Sequence, residues 1–145
     1  MNLLQLNVNA RQIDSTIIVN NALTKNGIEI LKSVKDQLKH GILNDNGKEL
    51  RKTYANKDYL QYKLAKNPDA EGYVDLENTG DFKGAMYVEG DFKGVKITSA
   101  DPKTNKLKKK YGNDVLGLTD SKRIRLIEEK IKPQLQKDIR QTIGI

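Results

Sequence analysis

The side chains able to do chemistry in this chain are few. It has one histidine, His40, and no cysteine, which excludes a disulfide framework, a thiolate zinc site, an iron–sulfur cluster and a cysteine nucleophile. His40 could act as a general base, but it stands at the predicted end of a helix, where an imidazole faces the last carbonyls and the helix dipole. Glu128-Glu129 is the only adjacent carboxylate pair on a predicted helix. Neighbours on a helix point about 100° apart and cannot share a proton or a metal. Asp75, Glu77 and Asp81 could supply acids to a small enzyme, but they flank a Thr-Gly turn and read as solvent-facing loop charges. Asn44-Asp45-Asn46-Gly47 resembles part of a calcium loop; with Gly47 in sixth place the first ligand would be Ile42, which has no side-chain oxygen. It reads as a turn. No nucleophile elbow, phosphate loop, dinucleotide fingerprint or His-Glu-x-x-His motif occurs. The expectation is a protein without catalytic residues, cofactor or metal.

Binding chemistry is better represented. Lys103, Lys106, Lys108, Lys109 and Lys110, closed by Tyr111, form a run able to neutralise phosphates without reading sequence, or a solvated basic loop. Lys52, Tyr54, Lys57, Tyr59, Tyr62 and Lys63 interleave cations with rings that could stack bases, or could anchor a loop to the body of a domain. The formal charge of +7 is unevenly spread. Residues 1–66 carry 11 basic and 6 acidic side chains, residues 67–100 carry 3 and 7, and residues 101–145 carry 12 and 6. Basic ends around an acidic middle suit polyanions, copies of the same chain or a charged neighbour.

The elements that must position these groups follow from pattern. With 145 residues, 37% hydrophobic and 31% charged, the chain suffices for one modest core. No stretch has the length and apolarity of a membrane span, and the opening residues lack a basic segment followed by an apolar one, so neither a membrane nor a secretory signal is expected. Leu4, Leu6, Val8 and Ala10 alternate with polar residues, predicting an extended arm over 1–13 and a single α+β domain over 14–145. Ile13 and Ile17, then Ile28, Leu31, Val34, Leu38 and Ile42, predict an amphipathic helix from about Asp14 to His40, interrupted at Asn26-Gly27 and stopped by Gly41. Residues 44–72 read as a long irregular loop.

Alternation from Phe82 through Val88 and from Val95 to Ser99 predicts an antiparallel hairpin turning near Glu89-Gly90-Asp91, the small sheet of the fold. Gly80-Asp81-Phe82-Lys83-Gly84 recurs as residues 90–94; two copies do not make a solenoid, and the repeat reads as incidental. A basic connection leads from Asp101 to the strongest helical pattern in the chain. There Ile124, Ile127, Ile131, Leu135, Ile139 and Ile143 line one face from about Ser121 to Thr142, with Thr119, Asp120 or Ser121 as cap and a kink at Pro133. Phe82, Met86 and Val88 should pack the sheet against that stripe.

The stretch from Gly47 to Leu118 resembles the tail-completion, or virion morphogenesis, family of tailed bacteriophages. The likeness lies in Gly47-Lys48-Glu49-Leu50, Tyr54, Tyr59 and Lys63, then Val74-Asp75-Leu76-Glu77-Asn78-Thr79-Gly80-Asp81-Phe82, and later Tyr111-Gly112-Asn113-Asp114-Val115-Leu116-Gly117-Leu118-Thr119 before a helix. It implies a structural subunit that assembles as a ring, commonly a hexamer, at the head–tail junction or the top of the tail, located in the virion and, during assembly, in the host cytoplasm. Its partners would be copies of itself, neighbouring portal, neck or tail proteins, and packaged DNA touched without sequence preference. The physical reading of the matching residues is structural. Thr79-Gly80 would start the hairpin with Phe82 behind it, Tyr111 would close the basic run, Gly112 and Gly117 would bracket a loop, and Leu118 would staple the last helix before its cap. The competing reading is a small basic nucleic-acid-binding module.

Overall fold

The computed structural model describes residues 3–43, 48, 50, 52–91 and 94–145. The chain is a mixed α+β protein whose helices outweigh a two-stranded antiparallel sheet. Helix α1 spans Leu3–Arg11, α2 Ser15–Lys25 and α3 Gly27–Lys39. The Asp14 carboxylate caps α2, accepting from the N–H groups of Thr16 at 2.9 Å and Ile17 at 3.3 Å. The break between α2 and α3 falls at the expected Asn26-Gly27, where the Asn26 side-chain amide donates to the Ala22 carbonyl at 2.8 Å. His40 ends α3, and Gly41, at φ +119°, turns the chain away in a conformation that costs glycine little.

Two expectations fail early in the chain. Residues 3–11 form helix, not an extended arm: the period-two pattern also contains the i, i+4 pairs Leu4/Val8 and Leu6/Ala10, and Leu, Gln, Ala and Arg favour helix. Helix α4, Lys57–Lys66, occupies ten residues of the supposed loop 44–72, capped by the Asn56 side chain on the Tyr59 N–H at 2.9 Å. The turn expected at Asn44–Gly47 lies outside the described residues.

After a 3₁₀ turn at Pro68–Ala70, a short helix α5, Asp81–Gly84, precedes β1, Met86–Asp91, and β2, Gly94–Ser99. The hairpin exists, but Met86 pairs with Ser99 and Asp91 with Gly94, so Glu89–Asp91 belong to the strand and are not its turn. Thr79-Gly80 opens the helical turn of α5 rather than the hairpin; Gly80 has φ +93° and the Thr79 hydroxyl accepts from the Asp81 N–H at 3.4 Å. The first Gly-Asp-Phe-Lys-Gly copy is therefore helical, whereas Gly90, Asp91 and Gly94 of the second are in strands. Surroundings decide what five residues cannot.

The basic connection is in fact a helix, α6, Thr104–Tyr111, followed by a 3₁₀ turn at Asn113–Leu116. The last helical run comprises α7, Asp120–Leu126, a wider π-helical turn at Ile127–Ile131, and α8, Lys132–Ile143. Pro133 has no N–H to give, and its ring crowds the carbonyl four residues back; the α-helical hydrogen bonding gives way before it in this π turn, and the helix is not split after Lys132 but continues from there as α8.

The main core consists of Val34, Leu38, Ile42, Val74, Phe82, Met86, Val115 and Leu116, with Leu31, Tyr54, Leu76, Ile97, Leu107 and Tyr111 packed around it. Phe82 and Met86 thus meet α3 and the 3₁₀ turn, not the stripe of the last helix as the pattern suggested. No residue of α1, α2, α7 or α8 belongs to this core. Helix α8 packs instead on α1 and α2, and Ile18, Ala22 and Ile131 are buried outside the core. The terminal helices form a second layer.

Gly72 shows how tightly α4 is held. It has φ +79°, and a Cβ there would lie 2.7 Å from Leu60 Cδ1 and 3.3 Å from Leu64 Cδ2 on α4. Gly72→Ala is expected to cost about 1–3 kcal/mol, read from the urea midpoint. In a Leu60→Ala background the steric part should shrink to the Leu64 contact while the backbone part remains; an unchanged midpoint for Gly72→Ala would contradict this geometry.

Candidate interaction site

The residues from Asp75 to Gly80 wrap around one buried ion pair. Lys63 of α4 and Asp75 lie 2.6 Å apart with side chains 2% and 0% exposed. Burying two charges costs several kcal/mol per ion unless every lone pair and proton is satisfied. Asp75 meets that demand: its Oδ1 also accepts from the Tyr54 hydroxyl at 3.2 Å and the Glu77 N–H at 3.0 Å, and its Oδ2 from the Asn67 amide at 2.9 Å. Lys63 donates further to the Glu77 carbonyl and lies over the Tyr54 ring. Burial would push the Asp75 carboxyl up, but the hydrogen bonds from Lys63, Asn67 and Glu77 outweigh it and hold the group below its ordinary value. Burial, and then the adjacent carboxylate, push the Tyr54 hydroxyl up. Between Asp75 and the Glu77 N–H that its carboxylate accepts, Leu76 is held at φ +54°, a left-handed conformation that a leucine does not adopt unaided.

This network places one wall of a cavity of about 180 Å³. Tyr54, Tyr59, Leu76, Thr79, Gly80 and Phe82 line one side, and Asp101, Lys103, Leu107 and Tyr111 the other. Four residues of the family-like set, Thr79, Gly80, Phe82 and Tyr111, therefore meet at one place although more than twenty residues separate the first three from the last. Gly112, at φ +106°, ends α6 beside it. Gly117 and Leu118 lie further on: a Cβ at Gly117 would touch the Asp114 carbonyl at 3.0 Å, and Leu118 packs on the core.

The acids do not sit as the sequence suggested. Asp75 is fully buried rather than solvent-facing, because Lys63 reaches it from a helix that the pattern did not reveal. Glu77 pairs with Lys83 at 2.6 Å, and that hydrogen bond lowers its pKa. Asp81 accepts from the Thr79 hydroxyl at 2.5 Å. Glu128 and Glu129 turn to different cations, Lys132 and Arg125. His40 is exposed at the end of α3.

The two basic clusters fare differently. Lys103, Lys106 and Lys110 follow steps of three and four and share an exposed face of α6; Lys109 is exposed on another side and Lys108 is half-buried. None of the five pairs with a carboxylate among the described residues. In the other cluster Tyr54 and Lys63 are consumed by the ion-pair network, so it is no continuous stacking platform. Lys52 nevertheless approaches Tyr111 at 5.9 Å and Lys110 the same ring at 5.0 Å, which brings the remains of both clusters together.

A different surface escaped the sequence reading. Ile124 is 58% exposed and Ile127 38%, although both lie on the stripe expected to be buried, and Ile17 and Ile28 are also exposed. Beside them opens an apolar groove of about 600 Å³ between α2, α3, β2 and the α7–π segment. Its lining comes from elements distant in sequence, so no local pattern could announce it.

Lys63→Met is expected to cost about 3–5 kcal/mol in urea unfolding, because it strands a buried carboxylate, while the double variant Lys63→Met/Asp75→Leu recovers much of the loss. Since the Asp75 carboxyl is depressed in the fold, its contribution is full above about pH 4 and drains as the pH falls below that value. Asp75→Asn should flatten that acid limb of the stability profile; an identical limb would show that Asp75 does not titrate as described. No protein-family model matches the chain, and neither a curated protein nor a solved structure does.

Proposed function

We propose that this chain is a structural virion protein of a tailed phage, a ring-forming subunit at the head–tail junction or the top of the tail, with no catalytic role. The observation that carries the reading is the set of large apolar side chains left exposed on α1, α2, α3 and the α7–π segment, Leu4, Val8, Ile17, Ile28, Ile124 and Ile127. Ile127 stands at an apolar groove, and a contiguous apolar surface of that kind marks a place that another chain covers. The resemblance over residues 47–118 supports the same reading, and that stretch contributes most of the main core, so it behaves as one structural unit. The partners are copies of the same chain and neighbouring rings of the particle. Lys103, Lys106 and Lys110 then form a basic edge for packaged DNA or for an acidic neighbour.

A second reading, a basic nucleic-acid-binding module, draws on the lysines of α6, which have no carboxylate partner among the described residues, and on the cations over Tyr111. Light scattering after size exclusion, across salt concentrations and with and without a short DNA duplex, separates the two. The structural reading expects a discrete oligomer that persists in salt. A monomer that shifts onto DNA and loses about tenfold or more in affinity between roughly 50 and 200 mM salt would overturn it in favour of the second.

A further inference from the structure

Helix α1 has two faces with different fates. Leu6 and Asn9 are half-buried, and the Asn9 amide donates to the Ile143 carbonyl at the end of α8 at 3.2 Å. Leu4, Val8 and Arg11, at steps of four and three, lie together on another face, and all three are exposed, Leu4 at 77% and Val8 at 46%. Arg11 has no carboxylate partner among the described residues. Nine residues are too few to stay helical alone in water, so α1 depends on what it touches.

The apolar groove lies at the other end of the same helical run. Leu23, Ile30, Leu43, Ile97, Leu126 and Ile127 line it, and Asp114, Asp120 and Arg123 supply its polar edge. Asp120 is paired with Arg123 at 2.7 Å, whereas Asp114 has no ion-pair partner among the described residues. Ile131, at the near end of the groove, and Ile143, where α1 docks, are twelve residues apart, about 18 Å along a helix. A chain whose α1 rests on its own α8 cannot fill its own groove.

We propose that α1 of one copy lays its Leu4–Val8–Arg11 face into the groove of a second copy, the two apolar side chains against Ile127 and its neighbours and Arg11 against Asp114. The spacing is that of a helix anchored in an apolar groove, and the charges left unpaired on the two surfaces are opposite. Because donor and acceptor are different surfaces of one chain, the contact is heterologous: each copy gives one helix and receives one, and repetition closes a ring or extends a filament. This rests on the reading that the chain assembles with itself, and supplies the contact by which it does so.

Three purified full-length proteins test it by light scattering, with circular dichroism confirming equal helix content: the wild type, the donor variant Leu4→Asp/Val8→Asp, and the acceptor variant Ile127→Asp. Asp114→Lys serves as a second acceptor variant on an exposed residue. The wild type is expected to form a discrete oligomer, each variant alone to be monomeric, and an equimolar mixture of donor and acceptor variants to stop at dimers through the one intact surface each retains. Arg11→Glu should weaken association roughly tenfold, and Asp114→Lys in the same chain should restore it. Full-size oligomers from the donor variant, or no dimers in the mixture, would overturn the arm-and-groove contact while leaving self-assembly standing. A wild type that stays monomeric at every concentration would overturn both.

Discussion

The Lys63–Asp75 pair is the constraint on which the middle of this fold depends. At 2% and 0% exposure the two charges have no water to fall back on, so the geometry around them must be complete. Completing it ties together three parts of the chain: α4 through Lys63, the Tyr54 hydroxyl before α4, and the Glu77 backbone beyond Asp75. Asn67 extends the network to the last turn of α3, its amide reaching the Lys39 carbonyl at 3.1 Å. The left-handed Leu76 is then a consequence rather than an oddity. The contacts on either side of it are strong enough to hold a backbone conformation costing of order 1–3 kcal/mol. Everything downstream, from the Gly80 turn through α5 to the start of β1, inherits its position from this point.

What the sequence disclosed and what it hid divide along the same physical line. Features set by near neighbours were legible: the break at Asn26-Gly27, the stop at Gly41, the disturbance before Pro133 and the antiparallel pairing of the two strands. Features set by distant partners were not. Lys63 looked like a surface cation among tyrosines because nothing within a few residues announces the carboxylate twelve positions away. Asp75 looked like a loop charge for the same reason. Helix α1 was misread because a short alternating run satisfies both periods, and only its docking on α8 settles which one holds. The two Gly-Asp-Phe-Lys-Gly copies make the point, since the first forms a helical turn while Gly90, Asp91 and Gly94 of the second are strand residues.

The family-like residues were singled out by a route that local pattern does not explain. Thr79, Gly80, Phe82 and Tyr111 entered as turn and packing residues through their resemblance to a family motif, and all four line one cavity. The basic run beside them was read as a loop, yet a helix presents its lysines differently. Only Lys103, Lys106 and Lys110 share an edge, while Leu107 and Tyr111 on the adjoining face turn toward the cavity. Any polyanion meeting α6 would therefore find three cations in a row rather than five in a cluster, a weaker and more adaptable surface than the run of letters suggests.

The layering of the molecule bears on how it could assemble. The main core draws on residues between Leu31 and Leu118, and the terminal helices contribute nothing to it. A subunit built this way can present the exposed apolar side chains of its terminal helices to other chains, while Ile97 and Leu118 at the floor of the groove also pack on the main core. The charge distribution does not follow that division: residues 67–100 carry the acidic excess, while the basic α6 belongs to the core stretch and α7 and α8 carry a basic excess of their own. If the whole surface were equivalent, like charges on the terminal helices would oppose their meeting. A contact that brings the lightly charged α1, whose only ionisable side chain is Arg11, to a groove edged by Asp114 and Asp120 avoids that repulsion and buries apolar surface in the same step. The arrangement favours association between unlike faces, and unlike faces are what a ring of identical subunits requires.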